Sequence, residues 1–543
     1  MNAVDRDAHL PAAGRNQHLR TGTPWATAIL VTAVLGGGVL RLADLGGESL
    51  WADEEFTARL AGLDLPGYLE NVGHTTRNIL PPLYFLLMHY WTDAFGASEF
   101  SLRLPSALAG ILCIPLAYRV GSLFFGRTAG LFAAVLLAAS PFHVRYSQEA
   151  RMYEFLCLLS IISLWLLVRL LDEKRLRFAI GLGVTNAAMV YTHHYAMFLV
   201  AAQLAFFAIL VSLRAVPHAV VRRWLLGTLL FVVLVAPWVV LFTNQVRKVY
   251  ENPWLPAPGR RNVVVLLTEY SGSRTAITVA LLLIATGAWR ARRARHDGAS
   301  PDAPARTSLT RNGRNSLLCL CVLVVPVVLS FGYSYLVTPI YGEKYLISSS
   351  IPYYFLVAAG AAWLWHPTAP GLAASRPVAL DLVAPDRVSP GRLSLGRGAV
   401  LALSTVVLGT SGVRIAGYFE RVDKDQWREA TAYVDARAET GDLILFSAGF
   451  TLENGFSYYD RRHDLVEAPF PPGSSEVSPA ITPADAGLLE SATAGHERVW
   501  LVSAHSRDTT GVISGTLTEI YASHTCQQFV GVMTCLFEGR RVR

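Results

Sequence analysis

Charged side chains are scarce in this chain: of 543 residues, only 16% are Asp, Glu, Lys or Arg, whereas 52% are hydrophobic. With a mean hydropathy of +0.37, that shortage excludes an ordinary soluble globule and leaves room for many membrane spans. No internal repeat is visible, which weakens the case for a transporter built from repeated halves. Nothing resembles a nucleic-acid module, and the net charge of +7 comes from basic residues gathered in a few loops, a pattern that orients a membrane protein. Cysteine is also sparse. Of six, Cys113, Cys157, Cys319 and Cys321 lie in apolar runs, where packing is expected because a metal site needs polar partners that these runs lack. The first apolar run has no small-residue cleavage site after Arg6, Arg15 and Arg20, so residues 1–24 read as a cytoplasmic N-terminus before an uncleaved anchor.

What is abundant is apolar sequence of spanning length. Such runs sit near 25–43, 104–123, 129–143, 153–171, 177–192, 195–213, 224–243, 274–289, 316–338, 345–365 and 399–417, about eleven spans. Arg127 and the basic segments 172–177, 214–223, 289–296 and 366–398 fall on one side if the N-terminus is cytoplasmic. PPLYFLLMHYW (81–91) would reverse every later loop if it crossed, so 81–95 is expected to be an interfacial or re-entrant helix. A long first outer loop, 44–103, follows, with further outer ends at VRYSQEARMY, THHY and PIYGEKY. The expected plan is a polytopic α-helical membrane domain over 25–418, with a Pro-, Gly- and Ala-rich cytoplasmic linker at 366–398. A small extracytoplasmic α/β domain is expected over 419–543. There WREATAYVDARAE reads as a helix and DLILFSA and RVWLVSA as buried strands. The hairpin TCQQFVGVMTC offers a Cys526–Cys535 disulfide in an oxidising compartment, or two reduced strand cysteines.

SLWADEEFT (49–57) places Asp53, Glu54 and Glu55 in that first outer loop, where acids avoid the cost of bilayer depth, roughly 2.5–3.5 kcal/mol. A carboxylate there can act as a general base toward a hydroxyl, and cations at the same depth can hold a phosphate leaving group. Arg59, Arg103, Arg145, Arg151 and Lys344 supply such cations, with His193 and His194 nearby. The bland readings are a helix N-cap for Asp53, a solvated face for Glu54, a span-end anchor for Arg103 and a mutual ion pair for Glu149 and Arg151. His193-His194 lacks the i, i+4 spacing that puts two rings on one helix face, so no metal site is expected there.

In order, LWADEEFTARL, LPPLYFLLMHYW, SLRLPSALAG, SPFHVRYSQEARMYEFL and THHYAMFLVAAQ resemble the GT-C superfamily of polyprenyl-phosphate-sugar-dependent glycosyltransferases. Within it the likeness is to the branch of protein O-mannosyltransferases and of the aminoarabinose transferases that modify lipid A. The resemblance covers roughly 25–365. It implies that Asp53 is the catalytic base with Glu54 as its pair, that Arg59, Glu149, Arg151, Lys344 and Tyr345 serve the donor or its phosphate, and that Arg103 is a partner of the phosphate or of the acidic loop. Tyr146, Tyr153, His193, His194 and Tyr195 are candidates to line the donor pocket. The chain departs from the pattern at Leu80, where many relatives have His or Lys before the double proline, leaving His74 or Arg77 as substitutes. It departs again at Lys344, a point charge where Arg is common. Glu55 receives no role. The absence of a Gly-rich nucleotide loop fits a lipid-linked donor. No cofactor is expected, a divalent cation being the weaker alternative. The expected function is transfer of one sugar from a polyprenyl-phosphate carrier to a lipid, glycan or protein acceptor on the outer face of the cell membrane, with inversion. The alternative is a transporter or flippase of lipid-linked saccharides.

Overall fold

The computed structural model describes residues 24–74, 81–251, 255–297, 309–366, 395–447, 455–472, 481–504, 508 and 511–541. The N-terminal segment and most of the 366–398 linker lie outside the described residues, as does Arg77, and the side chain of His74 is not among those described.

Apolar runs become helices because a helix satisfies its own backbone polar groups where no water can. The chain opens with α1 (Pro24–Leu42), α2 (Ala52–Ala61), α3 (Leu65–His74), α4 (Pro82–Phe95), α5 (Glu99–Phe125), α6 (Arg127–Ala138) and α7 (Pro141–Ser147). It continues with α8 (Tyr153–Glu173), α9 (Leu176–Thr192), α10 (Ala196–Ser212), α11 (His218–Glu251), α12 (Arg260–Ser271), α13 (Arg274–Asp297) and α14 (Arg311–Leu336). A 3₁₀ turn at Glu343–Ser349 then runs into α15 (Ser350–Trp365), followed by α16 (Leu395–Phe419). Seven of the described helices are long and apolar enough to cross a membrane, or nine if each of two bent pairs counts as one span. The protein is thus a multi-pass membrane protein. All eleven runs expected from sequence fall on helices, although α9 and α10 have only 17 residues each.

The bends have local causes. Between α6 and α7 the axis turns by 58°, where Pro141 cannot donate a backbone N–H and Ser140 accepts from His143 N as a fresh N-cap. Between α12 and α13 it turns by 81° at Gly272, whose φ of +83° ends α12 in the left-handed conformation. Helix α4 has 14 residues, short of the ~20 a span needs. Its buried His89 reaches the carbonyl of Ala61 through Nδ1 at 3.0 Å, tying it to α2.

After α16 and a short helix α17 (Trp427–Asp435), the chain forms a five-stranded sheet in the order β2-β1-β3-β5-β4. The strands are β1 (Leu443–Phe446), β2 (Val466–Pro469), β3 (Arg498–Ala504), β4 (Tyr521–Gln528) and β5 (Val532–Arg540). β1 pairs in parallel with β2 and β3, while β5 runs antiparallel to β3 and β4. Alternate residues of β1 and β3 serve two cores. Leu443, Leu445, Val499 and Leu501 enter one, and Ile444, Phe446, Trp500 and Val502 the other, as a period of two requires when both faces are covered. The expected helix over 427–439 stops at Asp435. Cys526 and Cys535 face each other across β4–β5 and are disulfide-bonded, as the hairpin allowed.

This domain sits on the loop between α1 and α2 and holds it residue by residue. Arg428 Nη2 donates to the Gly47 carbonyl at 2.6 Å, Asp423 N to Glu48 Oε1 at 2.8 Å, Ser49 Oγ to Glu429 Oε2 at 2.8 Å, and Leu50 N to the Tyr459 hydroxyl at 2.7 Å.

Candidate active site

Helix α2 begins at Trp51, whose extended backbone starts the first turn and places all three acids at its N-terminal end, where the helix dipole favours negative charge. The turn then separates them. Asp53 does not cap the helix. Its Oδ2 meets Lys344 Nζ at 3.2 Å, and its backbone carbonyl accepts from Arg151 Nη1 at 2.9 Å. Its side chain keeps 38% of its surface open and that of Lys344 24%. Burial works against ionisation of Asp53, but the charges of Arg151 and Lys344 outweigh it and hold the carboxyl below its ordinary value. Lys344 lies over three aromatic faces, with Nζ 5.0, 5.8 and 5.5 Å from the ring centres of Trp51, Tyr153 and Tyr345.

Glu54 is fully buried. Its two oxygens take a forked pair from Arg103 at 2.9 and 2.8 Å, Lys424 Nζ at 3.2 and 3.1 Å, and the Ala150 N–H at 2.8 Å. Burial opposes the charge, yet Lys424 and Arg103 hold the carboxyl at about 2. The expectation of Glu54 as a catalytic partner is corrected: its oxygens are occupied by the protein itself, so it has none to offer a substrate.

Of the two roles the resemblance offered Arg103, phosphate contact or partner of the acidic loop, the structure shows the second. Beyond Glu54 it donates to the carbonyls of Leu45, Glu48 and Ser49 at 2.9–3.0 Å, and it is 1% exposed. Its guanidinium organises the loop. Arg59 stands over Phe56 at 5.3 Å, with no hydrogen bond or ion pair to Asp53, Arg151 or Lys344. Nor do Glu149 and Arg151 form the side-chain ion pair that their spacing allows. Glu149 lies 3.8 Å from Arg145, with its Oε2 buried and unpartnered, and burial, reinforced by the charge of Glu54, raises its pKa against the opposing charges of Lys424, Arg145 and Lys344. Glu55 is buried as well.

The aromatic candidates do assemble. Tyr153 neighbours Tyr146 at 5.2 Å, Tyr345 at 6.2 Å and His193 at 6.0 Å between ring centres, and Tyr345 neighbours Tyr195 at 5.1 Å. His193 and His194 stack at 4.4 Å. Burial lowers both, His194 to about 4, which disfavours their charged forms. Tyr195 is anchored by its hydroxyl to the Ile340 carbonyl at 2.5 Å.

Two functional features escaped sequence reasoning. Lys424, just past the last apolar run, is buried against Glu54 and donates to the Gln148 carbonyl at 3.2 Å; nothing in local sequence separates it from an ordinary tail lysine. Trp51, beside the acids, forms one wall of the Lys344 cage. The reasoning for Cys157 is also corrected. Its run is apolar, but the fold surrounds it with polar groups, and the donor atoms of His143, Glu154 and Cys157 lie within 4.8 Å of one another. Both nitrogens of His143 are engaged, Nδ1 with Glu154 at 2.8 Å and Nε2 with Ser350 at 2.7 Å, the geometry of a buried hydrogen-bonded pair. Cys113, Cys319 and Cys321 are free and buried.

Comparison with known proteins bears on the fold. Residues 80–241 match the family model described as dolichyl-phosphate-mannose-protein mannosyltransferase, a stretch that includes Arg103, Glu149, Arg151 and the aromatic residues from Tyr146 to Tyr195 but not Asp53, Lys344 or Tyr345. A curated Bacillus subtilis (strain 168) protein, "Putative mannosyltransferase YkcB", is 27% identical over 157 residues, which are 26% of this chain and 22% of that protein. The match therefore spans about a fifth of the relative's length. Among solved structures, apo ArnT from Cupriavidus metallidurans superposes with a TM-score of 0.55 at 15% identity, over 94% of this chain and 97% of that one. Archaeoglobus fulgidus AglB, an archaeal oligosaccharyltransferase in complex with an inhibitory peptide and a dolichol-phosphate, gives 0.52 at 12% identity over 94% and 74%. ArnT from Cupriavidus metallidurans has also been solved bound to undecaprenyl phosphate, with a TM-score of 0.55 to this chain. At such identities the likeness is one of fold.

Proposed function

We propose, from the premise that the chain has the GT-C fold, that it is a membrane glycosyltransferase moving one sugar from a polyprenyl-phosphate carrier to an acceptor at the outer face, with Asp53 as general base. The observation that carries this reading is the contrast within SLWADEE. Asp53 is the one of its three acids with an open carboxylate, and that carboxylate touches a partly open lysine in an aromatic recess. The relatives' names supply the reaction class and the lipid carrier.

In the proposed step the acceptor hydroxyl loses its proton to Asp53 and its oxygen bonds to the anomeric carbon. The bond from that carbon to the phosphate oxygen breaks, and its electron pair leaves with the polyprenyl phosphate. In this reading Lys344 and Arg151, both of which contact Asp53, neutralise the charge that develops on the phosphate. The tyrosine cluster with the two histidines lines the donor side, and base plus leaving group in one displacement gives inversion. The outward orientation rests on loop charge and on the disulfide, which forms in an oxidising compartment.

The test uses purified wild type and Asp53→Asn with polyprenyl-phosphate mannose as the probe donor, following free polyprenyl phosphate. Turnover by wild type and its loss in a folded Asp53→Asn protein support the reading. Equal turnover in both removes Asp53 from the mechanism, and vectorial movement of intact donor without cleavage supports the transporter alternative.

A further inference from the structure

We infer that the C-terminal domain is a working part of the active site, and that Lys424 is a positioning residue which sets the Asp53 helix through Glu54. The inference rests on the reading of Asp53 as base. Its structural half stands on geometry alone.

Four separate segments meet at the Glu54 carboxylate: Glu54 itself on α2, Arg103 on α5, the turn carrying Ala150, and Lys424 from the segment that joins α16 to the sheet domain. Three of these also hold the neighbouring catalytic group. Asp53 is one peptide bond from Glu54, Arg151 follows Ala150 and donates to the Asp53 carbonyl, and Arg103 fixes the loop that feeds α2. Lys424 is the only member of this junction that comes from beyond the last long apolar helix. It bridges Glu54 to the Gln148 carbonyl at 3.2 Å, so it ties α2 to the turn that carries Arg151.

A buried ammonium in that position needs a strong local reason, because burial disfavours its charge. Burial and the nearby Arg103 lower the Lys424 pKa, while Glu54 works the other way. The domain contacts supply the reason: residues 47–50 of the incoming loop are each held by a residue from 423–459, which presses Lys424 into the junction. Undocking the domain would release loop, lysine and α2 together. An error of about 1 Å at a catalytic group costs on the order of 100-fold in rate.

The experiment is hydrogen exchange on the full-length protein, wild type, Lys424→Met and Lys424→Arg, alongside the donor-release assay with polyprenyl-phosphate mannose. Lys424→Met is expected to speed exchange of amides 47–58 about tenfold while β1 and β3 keep their protection. It should also lower kcat about 10- to 100-fold with KM for the donor within about twofold, and Lys424→Arg should recover much of both. Unchanged protection of 47–58 in Lys424→Met overturns the proposal. Loosened 47–58 with unchanged kcat overturns the positioning role. If wild type and Asp53→Asn turn over equally, the reading of Asp53 fails, and the exchange result still decides whether the domain clamps the loop. Should Lys424→Met not fold, Arg428→Gln, at a side chain 38% exposed, carries the same test: faster exchange at 47–50 supports the clamp and unchanged exchange overturns it.

Discussion

The side chain of Asp53 keeps 38% of its surface open and that of Glu54 none, so two adjacent acids are expected to fail in opposite ways. Asp53→Asn removes a base and little packing. Transfer should fall on the order of 100- to 10,000-fold with the thermal transition lowered far less than by a change at Glu54, which a turnover assay beside a melting curve will show. Glu54→Gln leaves Arg103 and Lys424 as buried cations without their carboxylate, a change of about 3–5 kcal/mol, and the same melting curve should drop sharply. Lys344→Met tests the base differently. Lys344 is among the charges that hold Asp53 below its ordinary value, so removing it lets burial raise that pKa. The acid limb of the pH–rate profile should then move to higher pH. An unmoved limb would mean that Asp53 is not the group titrating. The acid run was legible as an outer-loop feature, because acids beside a span have few places to go, and the resemblance ranked Asp53 ahead of Glu54. Composition could not show that Glu54 is enclosed while Asp53 is open, because Arg103, the Ala150 N–H and Lys424 do the enclosing, the last from 370 residues away in sequence.

At the scale of elements, helix α2 carries a built-in sensitivity to acid. Glu54 sits at about 2 against an ordinary 4.5, so its contribution is complete above pH 4.5 and is lost as pH falls through about 2. Taken alone that shift is worth about 3 kcal/mol. The lowered pKa of Lys424 offsets part of it, so the net contribution of the pair is smaller. Exchange of the α2 amides, corrected for its intrinsic pH dependence, should rise between pH 4.5 and 2 ahead of the spanning helices. A second prediction concerns close helix crossings. A Cβ at Gly183 would collide with the Gly227 carbonyl oxygen, one at Gly227 with that of Ala179, and one at Gly360 with that of Leu283. Small residues let α9 meet α11 and α13 meet α15 backbone to backbone. Gly183→Val or Gly360→Val should lower stability by about 1–3 kcal/mol, read as a reduced melting temperature in detergent. Hydropathy located these helices because each apolar run has a length that a bilayer dictates. It could not show which glycines touch a partner, because that depends on how helices cross and not on composition. The break at Pro141 was visible in principle. The 129–143 run nevertheless reads as one span, because its apolar character continues through the bend.

For the whole molecule, the arrangement of its six cysteines tests which way the protein faces. Cys526 and Cys535 are paired across the β4–β5 hairpin, whereas Cys113, Cys157, Cys319 and Cys321 are free and buried in the helical body. The pair closes a loop with a sequence separation of 9, worth about 2–3 kcal/mol in the chain-entropy account. It lies on the sheet edge formed by β4, at the opposite end of the sheet from β2, and it belongs to neither the Glu54 junction nor the contacts on residues 47–50. Reduction, or a paired Cys526→Ser and Cys535→Ser change, should therefore lower the melting temperature of the domain while leaving donor turnover within about twofold of wild type, since the interactions that set Asp53 remain in place. The oxidation state in living cells is the sharper measurement. A disulfide of this kind persists only where thiols are not kept reduced, so rapid acid quenching, alkylation and mass mapping should find Cys526 and Cys535 protected as a pair and the other four alkylated after denaturation. Finding all six alkylated would place the sheet domain on the reducing side. Because that domain grips the loop that carries Asp53, the proposed site would then face the cytoplasm, and the charge-based orientation of every loop would have to be reversed with it.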